Sequence, residues 1–119
     1  MARLVRAETR GYPVIDAISV HELAELRRAR LAHRILDVRE APELEICHIA
    51  GALHIPMGSV PARINDVPKD QPVVVMCHHG VRSRIIVEFL RRAGFSNAVN
   101  LDGGIDAWAR QIDASVARY

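Results

Sequence analysis

Cysteine is scarce in this chain: Cys47 and Cys77 are all it has in 119 residues. That is too few for a disulfide framework, the device small secreted domains use when their core is thin. A reducing compartment, the cytoplasm, is therefore the expected setting, and there an unpaired thiol is structural or catalytic. Aromatics are scarce too, with one Trp, two Tyr and two Phe. This removes the stacking platforms that single-stranded nucleic acids require. Neither charge sign dominates, since 16 Lys and Arg stand against 14 Asp and Glu, for a net charge of +2. The arginines are scattered and form no basic stripe, so no nucleic-acid partner is expected. No apolar run approaches the ~20 residues that cross a bilayer, so no membrane partner is expected. The opening "MARLVRAETRGYP" has basic residues but lacks an apolar core and a small-residue cleavage site. It does not read as a secretory signal.

Repeats, linkers and low-complexity stretches are also missing, and the length fits one domain, 1–119. Half of the residues are hydrophobic, enough for a substantial core. They fall into short apolar runs that alternate with amphipathic ones. Ser19 with Glu22 forms a capping-box pattern after a brief extended piece, and Val20, Leu23 and Ala24 follow at helical spacing. "RILDV" (34–38) reads as a compact strand, "APELEI" as a helix with Pro42 in its first turn, and "ALHIP" (52–56) as a strand closed by proline. In "GSVPARI", Ser59 is expected to cap one short helix. "PVVVM" (72–76) is β-branched and apolar without alternation, as in a strand covered on both faces. "RSRIIVEFLRRAG" predicts a helix starting near Arg82 or Ser83, with Ile85, Ile86, Phe89 and Leu90 on its buried face and Gly94 as its stop. "AVNL" (98–101) is another buried strand, and "GGIDAWARQI" a closing helix that buries Ile105, Trp108 and Ile112. Strands alternating with helices predict an α/β fold with a mainly parallel sheet.

One junction asks for a chemical explanation. In "VVVMCHHGVRSRIIVEF" (73–89) the apolar strand stops at Cys77, and within six residues a helix begins. Ligands of parallel sheets bind beyond the carboxyl ends of the strands, where Cys77 sits. Gly80 allows a tight turn. The free N–H groups and positive end of the next helix point at the same place, and Arg82 adds a permanent cation. Each favours thiolate over thiol. The loop therefore reads as a cradle for a nucleophilic sulfur. A buried structural cysteine at a strand end is the plainer alternative.

Here the sequence resembles the rhodanese-like family. Cys-x-x-Gly-x-Arg-Ser at 77–83, then Ala-Gly-Phe, then Gly-Gly-x-x-x-Trp are similar to the motifs of its active-site half. "ILDVRE" and "HIAGALHIP" resemble those of its first half. The likeness runs from about residue 13 to 112, and "DASVARY" looks like the tail of family members found alone or behind bacterial adenylyltransferases of sulfur-carrier pathways. The resemblance implies a five-stranded, mainly parallel sheet flanked by helices. It implies that Cys77 accepts a sulfane sulfur and holds it as a persulfide, cradled by His78, His79, Gly80, Val81, Arg82 and Ser83. It implies no metal and no organic cofactor. The expected partners are a small sulfur donor such as thiosulfate or a protein persulfide, a thiophilic acceptor, and a sulfur-carrier pathway protein. Related phosphatases and arsenate reductases use Cys-x5-Arg; here Arg82 comes one residue sooner, and a smaller ring suits a terminal sulfur better than a phosphoryl group.

Asp37 and Arg39 match the family's Asp-x-Arg and are read as support residues, either holding the loop or forming a structural ion pair. His78 and His79 replace the Arg or Lys that thiosulfate enzymes of the family often carry there. A Cys-His-His metal site is disfavoured, because neighbours on a tight loop point apart and structural zinc takes four ligands. Cys47 stands where the family usually has glycine and reads as a small buried thiol, with a resolving or second sulfur station as the sharper alternative. His48 is expected to pack or hydrogen-bond, and Trp108 to be core. The rival functions are a sulfur-relay or docking module that works only with a protein partner and, after it, a phosphatase or arsenate reductase.

Overall fold

The structure is a computed structural model that describes residues 16–119. The signal-peptide reading of the first residues lies outside the described part. Among the described residues five strands and four α-helices follow one another: β1 Ala17–Ile18, α1 Val20–Arg28, β2 Arg34–Asp37, α2 Ala41–Ile46, β3 Leu53–His54, β4 Val73–Met76, α3 Val81–Arg92, β5 Ala98–Leu101 and α4 Gly104–Gln111. The strands form one sheet in the order β1-β5-β4-β2-β3, and every pairing is parallel. Because all strands run the same way, their carboxyl ends share one edge. Asp37 pairs with Met76 at that edge, which places the segments after β2 and β4 side by side.

β4 is central and wholly buried. Its alternation divides the core in two. Val74 and Met76 join Leu23, Leu26, Ile105 and Trp108 beneath α1 and α4. Val73, Val75 and Cys77 join Ile86, Val87 and Leu90 beneath α3. With both faces covered, no position of the strand tolerates a polar side chain without a partner, which explains its unbroken Val-rich run.

The local signals act as expected at most boundaries. Ser19 and Glu22 form the reciprocal capping box of α1. Pro42 occupies the first turn of α2. α3 ends at Arg92, with Gly94 at φ +98° just beyond. Two expectations need correction. "GSVPARI" makes no capped α-helix; the segment forms two 3-10 turns, Met57–Ser59 and Ile64–Asp66, and Ser59 lies inside the first. Pro61 in the middle of the segment cannot donate to an α-helical ladder. Ile85 does not face the core; it is 49% exposed, while Ser83, Ile86, Val87 and Leu90 are the buried residues of α3. Beginning at Val81 turns the buried stripe so that it includes Ser83 and leaves Ile85 outside.

Candidate active site

Cys77 lies at the carboxyl end of β4 and is 1% exposed. Its Sγ accepts the backbone N–H groups of Gly80 at 3.1 Å and Ser83 at 3.3 Å. The Ser83 hydroxyl stands 3.3 Å away. Sulfur therefore sits at the amino end of α3, in the partial positive field of that helix.

The loop's carbonyls are held on its other side, which is why its N–H groups face the sulfur. The Cys77 carbonyl accepts from Ile105 N at 2.9 Å and the His78 carbonyl from Asp106 N at 3.0 Å, so the first turn of α4 grips the loop from outside. The Gly80 carbonyl accepts from Asn100 Nδ2 at 3.2 Å and from Arg84 N at 3.3 Å. Two glycines make this possible. Gly80 has φ +106°, the left-handed region that turns the chain into α3. Gly104, at φ +59°, lies so close to the loop that a Cβ there would collide with the carbonyls of Cys77 and His78.

The remaining expected residues occupy distinct places. Val81 is 60% exposed and contributes backbone to the loop rather than a side chain. Arg82 turns to Glu43 of α2 in a two-pronged ion pair, at 2.8 and 2.9 Å. Its cation is thus shared with a carboxylate that sequence reasoning did not include. The Arg82 guanidinium, opposed by burial, holds the Glu43 carboxyl down to about 2 from an ordinary 4.5, and backbone and Tyr119 hydrogen bonds assist. The Arg82 pKa rises correspondingly, driven by the Glu43 hydrogen bond against desolvation.

Asp37 and Arg39 form a fully buried pair, with Arg39 Nε 3.0 Å and Nη2 2.7 Å from the carboxylate. Burial works against the Arg39 charge, yet Asp37 and Tyr119 hold its pKa above the ordinary value. Arg39 also donates to the carbonyls of Glu43 and Cys47 and to the Tyr119 hydroxyl at 3.0 Å. The pair is thus structural toward α2 and the segment after it, and makes no hydrogen bond to the Cys77 loop among those described.

Tyr119, 76 positions from Glu43, completes this side of the site. Its hydroxyl donates to Glu43 Oε1 at 2.8 Å, and its ring stacks on His78 with centroids 3.8 Å apart and planes 4° from parallel. Burial, together with the Glu43 carboxylate and against the Arg39 hydrogen bond, raises its phenol to about 12, so it stays protonated. The His79 ring lies tilted against the His78 ring, 3.8 Å between centroids. Burial and His79 lower the His78 pKa.

His78, His79 and Asp106 bring three potential metal-ligand atoms within 4.8 Å of one another. Asp106 is already occupied, however: Oδ2 accepts from Arg110 and Oδ1 from Arg118, at 2.9 and 3.1 Å. A cation would have to displace two guanidinium groups, so the donor set does not suit one.

Cys47 is buried at 8% exposure, with Arg39 Nη1 3.9 Å from its sulfur. It lines a groove of about 860 Å³ between α2 and residues 113–117, together with His48 and Trp108. Cys77 is not in that lining. His48 is exposed, so of the two roles expected from the sequence, packing or hydrogen bonding, the packing one does not hold. Trp108 is core at 6% exposure. Three residues escaped the sequence reading: Glu43, Asn100 and Tyr119. Only Asn100 carried a signal of its own, since a polar side chain inside the buried run "AVNL" needs a partner.

Comparison with known proteins agrees with this fold. A family model described as the rhodanese-like domain matches residues 19–111. YrkF of Bacillus subtilis (strain 168), a provisionally named sulfur carrier protein, is 38% identical over 79 residues, 66% of this chain. The chain spans 43% of YrkF. SSP1007 of Staphylococcus saprophyticus is 33% identical, with a TM-score of 0.75 over 87% of this chain and 100% of that one. The human single-domain sulfurtransferase TSTD1 is 27% identical, with a TM-score of 0.69 over 80% of this chain and 96% of that one.

Proposed function

The chain belongs to the rhodanese-like domain family, and from that premise we propose that it is a sulfurtransferase working through a Cys77 persulfide. The observation that carries the reading is the pair of N–H groups, from Gly80 and Ser83, aimed at Cys77 Sγ at the amino end of α3. Such donors favour an anionic sulfur. The thiolate attacks the sulfane sulfur of a donor. A new S–S bond forms to Cys77, and the donor's own bond to that sulfur breaks, its electron pair leaving with the departing group. With thiosulfate the departing group is sulfite; with a protein persulfide it is the donor's thiolate. A thiophilic acceptor then attacks the terminal sulfur and the Cys77 thiolate is regenerated. This is covalent catalysis in two half-reactions.

The short Cys-x4-Arg loop supports sulfur over phosphoryl or arsenate chemistry, because fewer N–H groups surround the bound atom. The single domain, 1–119, carries the whole proposed site. Among the described residues no helix is long and apolar enough to cross a membrane. Two unbridged thiols suit a reducing cytoplasm. A sulfur-carrier pathway protein is the proposed partner, in keeping with the name of YrkF.

Intact mass after incubation with thiosulfate or a low-molecular-weight persulfide tests the reading. Wild type should gain the mass of one sulfur atom, Cys47→Ser should do the same, and Cys77→Ser should gain none. Loading that survives Cys77→Ser and vanishes in Cys47→Ser would transfer the role to Cys47. Steady-state turnover of thiosulfate with cyanide then separates an enzyme for small donors from a relay that needs a protein partner.

A further inference from the structure

Asn100 sits in β5 and is only 4% exposed, too little for solvent to account for a polar side chain there. Its hydrogen bonds fix its orientation. The Gly80 carbonyl can only accept, so the Asn100 atom 3.2 Å from it must be the donor Nδ2. Oδ1 therefore points the other way, toward the Ser83 hydroxyl at 2.5 Å. Oδ1 can only accept, so the single Ser83 proton is directed to Asn100. What Ser83 Oγ presents to Cys77 Sγ, 3.3 Å away, is then a lone pair.

That arrangement suits a thiol and opposes a thiolate. A Cys77 S–H can donate to Ser83 Oγ. Once the proton has left for a solvent base, the same lone pair faces a negative sulfur. The thiolate recovers a hydrogen bond only if the Ser83 O–H rotates toward it and leaves Asn100 Oδ1 without its donor. The two acceptors, Asn100 Oδ1 and the thiolate, compete for one proton.

We infer that Asn100 is a positioning residue that sets the ionisation of Cys77 by holding the Ser83 proton away from the sulfur, so that Ser83 is a two-position switch rather than a fixed donor to the site. The inference rests on the sulfurtransferase reading for its purpose, since the site must be anionic to attack and must then release a sulfur. A thiolate destabilised by Asn100 is a stronger nucleophile for loading and a poorer leaving group for unloading. It is, however, a less persistent anion between turnovers, and loading is where Ser83 swings. Only O–H rotation is involved; beyond loss of the Cys77 proton to solvent, no bond is made or broken.

The charged and titratable groups of the site are the Asp37–Arg39 pair, Arg82 with Glu43, the two loop histidines, Asp106 and Tyr119; the elements around the loop also carry Arg84, Glu88, Arg91 and Arg92 on α3, Arg110 on α4 and Asp102 after β5. None of these residues is substituted in the variants at 100 and 83. The test is the pH profile of iodoacetamide alkylation at Cys77, read by peptide mass so that Cys47 does not interfere. Asn100→Leu, which keeps the number and branching of the side-chain heavy atoms though it is bulkier, frees the Ser83 proton for the sulfur. Its midpoint should move to lower pH by about 1 unit, the scale of one hydrogen bond to the charged form. Asn100→Ala should move it the same way and stands in if the leucine variant does not fold. In a Ser83→Ala background neither change at 100 should move the midpoint, because the proton they compete for is gone. A midpoint at or above that of wild type in both Asn100 variants overturns the inference. So does an equal shift with and without Ser83, which would mean that Asn100 acts through the Gly80 carbonyl alone. Sulfur loading by intact mass is scored separately. Failure to load in wild type defeats the sulfurtransferase reading and leaves the alkylation comparison to decide on Asn100.

Discussion

At the scale of single residues, the site depends on atoms that are missing as much as on those present. Gly104 is the clearest case. The first turn of α4 donates to the carbonyls of Cys77 and His78 from Ile105 and Asp106, and this approach leaves no room for a side chain at 104. Gly104 also has positive φ, which L-residues with a Cβ resist. Gly104→Ala is therefore expected to destabilise the fold by roughly 2–3 kcal/mol, from backbone strain and overpacking together. It should also lower sulfur loading at Cys77, because the loop must retreat from α4 and its N–H groups lose their aim. Urea unfolding and intact mass measure the two effects. A variant within ~0.5 kcal/mol of wild type, the range of an ordinary surface change, would show that α4 can shift without disturbing the loop. The sequence displayed this residue as half of "GG" before a helix. What it could not display is the neighbour that requires it, 26 and 27 positions earlier in the chain.

At the scale of elements, α2 is a helix that serves the site through one side chain. It buries none of its residues, so packing alone does not fix its place. Arg39 holds the carbonyls of Glu43 and Cys47, and the Glu43 side chain joins Arg82 at the start of α3 to the Tyr119 hydroxyl. Its carboxyl, held down to about 2 by Arg82 against an ordinary 4.5, gives the sign of the pH effect. A depressed carboxyl contributes stability that is fully present above about 4.5 and lost as pH falls through about 2. Arg82 is partly exposed, so solvent screening reduces the contribution to about 1–2 kcal/mol. Glu43→Gln should lose that amount at neutral pH, and its deficit relative to wild type should shrink as the solution is acidified below about 4. A deficit that is constant with pH would assign the effect to packing instead of charge. The elements themselves were readable because their signals are local: the Ser19–Glu22 box, the Val-rich β4, Pro42 and Gly94. That β4 is covered on both faces was readable from its unbroken apolar run. The reading went astray at Ile85 because the buried stripe of α3 is set by the turn at Gly80, and at Ser59 because Pro61 breaks the helical ladder. Glu43 and Tyr119 stayed hidden because their partners arrive from elements far away in sequence, brought together only by the parallel sheet's shared edge.

At the scale of the whole molecule, the segment after α4 closes a circuit across that edge. Val116 packs against the core beneath α1 and α4. Arg118 reaches Asp106 of α4, and Tyr119 reaches Glu43 of α2, Arg39 after β2, and His78 in the loop after β4. One tyrosine thus touches three separate parts of the chain beside the proposed nucleophile. Two substitutions divide its contributions. Tyr119→Phe keeps the stack on His78 and removes the hydroxyl, leaving Arg39 Nη1 and Glu43 Oε1 each short of one partner. Tyr119→Ala removes both. The alanine variant should lose about 1–2 kcal/mol, a fall of roughly 5–10 °C in melting temperature for a domain of this size, and the phenylalanine variant less. The pH dependence tells the stack apart from the hydroxyl. Burial, with His79, lowers the His78 pKa below the ordinary 6.5. A histidine kept neutral in the fold contributes stability that is present above 6.5 and lost as pH falls below it toward the folded value, since the unfolded chain takes up the proton first. Removing the ring rehydrates His78 and returns its titration toward normal. The melting-temperature gap between wild type and Tyr119→Ala should therefore narrow between about pH 7.5 and pH 5.5, while the gap to Tyr119→Phe stays constant. Glu43, ionised throughout that interval in the folded state, does not blur the comparison. If both gaps stay constant, the stack does not shield His78, and the tyrosine acts through its hydrogen bonds to Glu43 and Arg39 alone.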